Sequence, residues 1–259
     1  MSGELRKKLE AGESVFGVFS PYADVTVTEL LTTSGLDFLI FDGEHGALSE
    51  ESATALVLSC ERRGCTPLIR VPSLAGRVIG RFLDFGMQGV VAPMINTAGE
   101  LNELTQAMLY PPQGSRGFAL TRHLDYGNGD NSVVQALSSN NESLMVIAQV
   151  ETQQSLDNLD EILADERLDL VFVGPADLSI SLGCPLDFNH PKFLEALLKV
   201  SAAAQKHQKH LGVLVNQPEQ VGMLHSLGFR FFAGYVDSII SSACQDFAEQ
   251  GATSISVGE

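Results

Sequence analysis

Short, continuous apolar runs recur along the chain, most of them separated by stretches with helical periodicity. The runs are Val15–Phe19, Asp37–Phe41 (DFLIF), Pro67–Val71 (PLIRV), Gly89–Ala92 (GVVA), Leu144–Val150 (LMVIAQV), Leu168–Val173 (LDLVFV), Leu211–Val215 (LGVLV) and Phe229–Ala233 (FRFFA). Runs of this length without alternation suit strands covered on both faces, as in a parallel sheet. Between them, Thr97–Leu109 and Ser155–Ala164 carry apolar residues at three- and four-residue spacing, and Pro191–Gln205 opens with proline at a plausible first helical position. Strands alternating with helices predict an α/β protein, a single (β/α)8 TIM barrel, with a doubly wound open sheet as the main alternative.

One segment departs from this rhythm. From Tyr110 to about Val133 the chain is polar and glycine-rich, with YPPQGSRGF followed by YGNGDN. A long loop inside a compact domain is either a functional lid or a surface excursion, and composition weighs the two equally. The chain 1–259, this loop included, reads as one domain, because no repeat, low-complexity tract or linker divides it.

Length and composition narrow the picture. The chain has 259 residues, and one (β/α)8 barrel typically needs about 250. Its formal charge of −16 disfavours nucleic acid and anionic membranes as partners. An anionic substrate would therefore need a locally positive pocket, from an arginine or a metal ion. Cys60, Cys65, Cys184 and Cys244 match no zinc or redox spacing and read as reduced thiols of a cytoplasmic protein. No signal peptide or membrane-spanning run is expected.

In such a barrel the chemistry lies where strands end. After the second run comes Asp42-Gly43-Glu44-His45-Gly46, and the third carries Arg70 near its end. Gln149 and Glu151 stand at the end of the fifth, and Gly174-Pro175-Ala176-Asp177 follows the sixth. Glu151 and Asp177 each read alone as a helix cap or salt-bridge partner. Together, on neighbouring strand ends, they suit octahedral Mg²⁺ or Mn²⁺, with water and substrate filling the other positions. Arg70 in an apolar strand needs a partner, either a substrate oxygen or a structural ion pair with Asp42 or Glu44. A lone histidine is usually structural or merely exposed, but His45 in this company is a candidate general base. The amides at Ala176 and Asp177 could hold a carboxylate, a weak signal because every helix has such an end. Lys7, Lys8, Lys192, Lys199, Lys206 and Lys209 all lie outside the core runs. Imine chemistry is thus disfavoured, and a carbanion would need a metal.

These residues resemble those of the class II pyruvate aldolases, the family of 4-hydroxy-2-oxoheptanedioate aldolase and 2-dehydro-3-deoxyglucarate aldolase. The resemblance runs from about Gly17 to about Gly234, through FDGEHGALS, LIRVP, FLDFGMQGVVAPMINTAGE, YPPQGSRGF, AQVETQQSLDNLDEI and VFVGPADLSISLG. It implies a phosphoenolpyruvate/pyruvate-domain-like barrel and a divalent cation (Mg²⁺, or Mn²⁺ or Co²⁺) on Glu151 and Asp177. It implies that Arg70 contacts the pyruvyl oxygens and that His45 is the base. Gln149 would lie near the substrate, and the amides around Ala176 and Asp177 would hold its carboxylate.

The family pattern also pairs the histidine with an aspartate matching Asp84. Asp84 precedes strand four, at the opposite barrel end of its own chain, so a neighbouring subunit would have to deliver it. The resemblance further implies a homohexamer, a trimer of dimers, with the C-terminal segment 235–259 as a candidate for exchange between subunits. Two stretches depart from the sugar-acid aldolases: Ala-Leu-Ser follows Glu44-His45-Gly46 where they tend to read EHA-Pro-Asn, and the run Thr121–Tyr126 departs from their usual small-residue and aromatic pattern. Both bear on the aldehyde rather than the pyruvate half. The expected reaction is carbon–carbon lysis of a 4-hydroxy-2-keto acid to pyruvate and an aldehyde. The alternatives are an acyl-CoA lyase of citryl- or malyl-CoA type, for which Arg116 and Arg122 are among the few basic candidates, and a non-catalytic keto-acid-binding barrel.

Overall fold

In a computed structural model, which describes residues 3–129, 131–215 and 217–256, eight strands close into a barrel in sequence order. They are β1 (Val15–Ser20), β2 (Phe38–Asp42), β3 (Thr66–Arg70), β4 (Gly89–Ala92), β5 (Met145–Val150), β6 (Leu170–Val173), β7 (His210–Leu214) and β8 (Phe231–Tyr235). Every neighbouring pair is parallel, including β1 with β8. The chain is a (β/α)8 barrel, not an open sheet.

The two faces of each strand feed different cores. Val15, Phe19, Phe38, Ile40, Leu68, Val91, Met145, Ile147, Leu170, Phe172, Phe231 and Ala233 fill the barrel interior. Their alternation with residues such as Leu39, Ile69, Val90 and Val146, which pack outward under the helices, follows from the two-residue period of a strand. Burial on both faces is why the strands read as unbroken apolar runs.

Six helices start at a residue whose side chain accepts from the first turn. The helix Ala98–Met108 begins at Thr97, whose hydroxyl accepts the Glu100 N–H while the Glu100 side chain accepts the Thr97 N–H, a reciprocal capping box. The stretch read as one helix over Ser155–Ala164 forms two, Gln153–Asp157 and Leu159–Leu163, broken at Asn158. The Asn158 side chain there donates to the Asn96 carbonyl at 2.8 Å. Where the long segment from Tyr110 ends, a helix, Val133–Ser143, leads to β5. Its one buried residue is Asn141, so it has no apolar stripe to betray it. The Asn141 amide instead brackets the Tyr110 backbone, accepting its N–H at 2.8 Å and donating to its carbonyl at 2.9 Å.

Cys60, Cys65, Cys184 and Cys244 are free thiols, and the first three are buried. Among the described residues, no helix is long and apolar enough to cross a membrane. The C-terminal helix Val236–Ser256 is exposed over most of its length, including Ile239, Ile240, Phe247 and Ile255. Residues 257–259 of the segment 235–259, and Asp130 of the 110–133 loop, lie outside the described residues.

Candidate active site at the carboxyl ends of the strands

The inward phase of each strand can be followed one step beyond the apolar interior. Phe38 and Ile40 lead to Asp42, Leu68 leads to Arg70, Met145 and Ile147 lead to Gln149, and Phe231 and Ala233 lead to Tyr235. The barrel is thus capped by polar residues directly above its hydrophobic plug, at the end where such enzymes place their sites.

Arg70 is 4 % exposed and sits beside Asp42 in the β2–β3 register. Its Nε donates to Asp42 Oδ1 at 3.0 Å and its Nη2 to Oδ2 at 2.5 Å, a bidentate pair. Glu44 Oε2 lies 3.4 Å from Nε. Both alternatives raised for Arg70 therefore bear on it: the structural pair exists, and Nη1 is the donor left for a ligand among the described hydrogen bonds. Burial opposes the charge on each partner but is outweighed. The Arg70 hydrogen bonds, with the N–H groups of Glu44 and His45, hold Asp42 below the usual carboxylate range, and Asp42 holds Arg70 protonated.

Glu151 follows β5 and is 2 % exposed. Its Oε1 accepts the Met94 N–H at 2.7 Å, and its Oε2 accepts from the Gln149 side chain. A Cβ at Gly174 would collide with Glu151 Oε2 and Gln149 Nε2, so a larger residue there would have to displace both side chains. Burial, reinforced by the charges of Asp177 and Glu44, pushes Glu151 up to about 7 against the pull of the Met94 and Gln149 hydrogen bonds. No protein cation pairs with it among the described residues. The Gln149 Oε1 is likewise buried without a partner. Asp177 is exposed in the first turn of the helix Pro175–Ser181, near enough for its charge to act on Glu151. Because that helix opens with proline, Ala176 and Asp177 offer its first free N–H groups.

The donors around Glu151 are hard oxygens with an uncompensated charge, which fits a divalent cation. Among the described residues no three His, Cys, Asp or Glu side chains group closely enough to hold a metal unaided, so water and substrate would complete its coordination.

Two candidates stand apart in this chain. The His45 side chain is 69 % exposed, and its nearest charged neighbour is Glu44 at 3.8 Å. Asp84 ends the helix Gly76–Asp84 ahead of β4, at the amino end of the barrel. There it accepts from Arg116 Nη2 at 2.6 Å and lies 3.6 Å from His123 Nδ1. Sequence reasoning missed Tyr235 and the Met94 amide. Tyr235 was within reach, since it keeps the two-residue phase of Phe231 and Ala233, but the apolar run stops at Ala233.

Fold and strand-end chemistry together define the class, an enzymatic (β/α)8 barrel with its chemistry at the carboxyl ends of the strands. Comparison with known proteins supplies the family: the model of the HpcH/HpaI aldolase/citrate lyase family matches residues 15–241, and the chain belongs to it. The chain is similar to a hydroxypyruvate/pyruvate aldolase of Roseobacter denitrificans, 34 % identical over 90 % of this chain and 90 % of that protein. It is similar to the 2-keto-3-deoxy-L-rhamnonate aldolase of Escherichia coli, 32 % identical over 95 % of this chain and 91 % of the relative. The crystal structure of an HpcH/HpaI aldolase from Desulfitobacterium hafniense superposes with a TM-score of 0.87 at 27 % identity, covering 97 % of this chain and 96 % of that one. The expected class II pyruvate aldolase resemblance is met at the level of the family.

Proposed function

We propose that the chain catalyses reversible, metal-dependent retro-aldol cleavage of a 4-hydroxy-2-keto acid to pyruvate and an aldehyde. The observation that carries this reading is the buried Glu151 carboxylate with no protein cation among the described residues, on the same strand-end crown as an oriented arginine. Glu151 and Asp177 would hold Mg²⁺, or Mn²⁺ or Co²⁺, and the cation would supply Lewis acidity to the keto-acid oxygens.

The chain's own groups divide the remaining work. Gln149 and the amides of Ala176 and Asp177 orient the carboxylate of the substrate. His45 takes the proton from the C4 hydroxyl as the C3–C4 bond breaks. The bonding electrons move toward the C2 oxygen, where Arg70 stabilises the developing charge, and protonation at C3 gives pyruvate. Asp84 orients His45 from a neighbouring subunit, which makes a homo-oligomer, a trimer of dimers with 235–259 exchanged, part of this reading. The setting is cytoplasmic.

The acyl-CoA lyase reading needs cations for the coenzyme phosphates. Arg116 and Arg122 are paired with Asp84 and Glu61 instead. The test is pyruvate release from a racemic 4-hydroxy-2-keto acid panel, read with and without a chelator. Release that stops on chelation and returns with Mg²⁺ is expected. No metal-dependent release across the panel, with ligand binding intact, would favour a non-catalytic keto-acid-binding barrel.

A further inference from the structure

Tyr235, the last inward residue of β8, has no part in the chemistry above. It is in register with Phe19 of β1, and the two rings lie 5.4 Å apart, tilted by 39°. The Arg70 guanidinium sits 5.0 Å above the same Phe19 ring. Phe19 is therefore a shared floor on which guanidinium and phenol lie side by side, with Tyr235 Oη 3.5 Å from Arg70 Nη2.

The phenol is only partly buried, so a ligand can reach it. Nη2 is already committed to Asp42 at 2.5 Å, and 3.5 Å is the outer limit of a hydrogen bond. The hydroxyl proton of Tyr235 has no acceptor among the described residues. Tyr235 is also within electrostatic reach of Asp177, so it connects the arginine side of the crown to the side that carries the candidate cation ligand. Burial raises its pKa, which keeps the group an O–H donor at neutral pH.

We propose that Tyr235 is a substrate-binding residue, whose phenol O–H donates to a carboxylate or keto oxygen of the 2-keto acid held against Arg70. An anion held against Arg70 would then meet two donors, a charged one from β3 and a neutral one from β8. The inference rests on the aldolase reading and names the second anchor of its substrate.

Tyr235→Phe keeps the ring on Phe19 and removes only the donor. The experiment measures calorimetric binding of pyruvate and of oxalate, a planar mimic of the enolate, to the full-length, Mg²⁺-supplemented protein, alongside steady-state cleavage and Tm. Loss of a hydrogen bond to a charged ligand predicts weaker binding of both probes and a higher KM, each by about tenfold. The value of kcat should stay within about threefold, and Tm should not move. Unchanged binding in Tyr235→Phe with a working wild type overturns the proposal and leaves the aldolase reading standing. A lower Tm and kcat with unchanged binding also overturns it, assigning Tyr235 to packing. A wild type that neither binds these probes nor releases pyruvate removes the aldolase reading and this proposal with it.

Discussion

At the amino end of the barrel Asp84 meets Arg116 at 2.6 Å, Arg116 lies 4.7 Å from the Tyr110 ring, and His123 closes the group. At the carboxyl end Glu151 is more deeply buried than Asp84, yet it has hydrogen bonds and, among the described residues, no counter-charge. Breaking a buried ion pair by removing one partner costs about 3–5 kcal/mol, so a completed pair marks a structural anchor. A buried charge left uncompensated by its own chain is a standing cost that persists where something else supplies the compensation. Arg70 belongs to both kinds: it is completed by Asp42 and still has a donor to spare.

That dual character gives the largest expected effect. Arg70→Ala removes the donor proposed to face the developing enolate charge, which should slow turnover about a hundred- to thousandfold, equivalent to ~2.7–4 kcal/mol of barrier. It also leaves Asp42, 2 % exposed, without its cation, so the variant should lose up to about 3–5 kcal/mol of stability. Pairing it with Asp42→Ala should restore much of the stability and none of the activity. Chemical denaturation and pyruvate release on the single and double variants separate the two roles. Wild-type turnover in Arg70→Ala would remove the arginine from the chemistry, and an unchanged unfolding midpoint would remove it from the fold.

The second prediction concerns the completed end. The His123 side chain is 4 % exposed, and burial, then the Arg116 charge, push it down to about 4. Its Nε2 faces the Tyr110 hydroxyl at 2.7 Å and Arg116 Nη2 at 3.3 Å, while Nδ1 lies 2.8 Å from Thr121 Oγ1. This network assigns a neutral ring with its proton on Nδ1. An unfolded histidine titrates near 6.5, so between about 4 and 6.5 the unfolded chain binds more protons than the folded one. The stabilising contribution of neutral His123 is complete above pH 6.5 and is lost as pH falls toward 4, by up to about 3 kcal/mol. Stability measured from pH 7 to 5 should fall in the wild type and much less steeply in His123→Gln. Equal slopes would show that the ring is not held neutral.

The same contrast explains what the sequence could tell. Arg70, Gln149 and Glu151 were legible because a charged or amide group at the end of an apolar strand is conspicuous and the barrel dictates which end matters. Strand boundaries missed by a residue or two, as at β2 and β8, because apolar runs report burial while strands are defined by pairing. Tyr235 fell outside for that reason. The Arg116–Asp84 pair spans 32 residues, across a whole strand and helix. Nothing local links its two halves, and the helix Val133–Ser143 was hidden by its polar surface.

The smallest effect tests the open end most directly. Glu151→Gln keeps the shape of the side chain, and its amide can still face Met94 N–H through oxygen, but the buried charge is gone. In chelator-treated protein the variant should be the more stable by about 1 kcal/mol, because an unpaired buried carboxylate is costly to ionise. That corresponds to a rise in Tm of about 2–4 °C for a domain of this size. With Mg²⁺ added, the order should reverse, since a ligand that binds only the folded wild type stabilises it by mass action. A variant less stable than wild type in chelator would mean that Glu151 is already compensated within the chain, and the distinction between the two ends of the barrel would disappear.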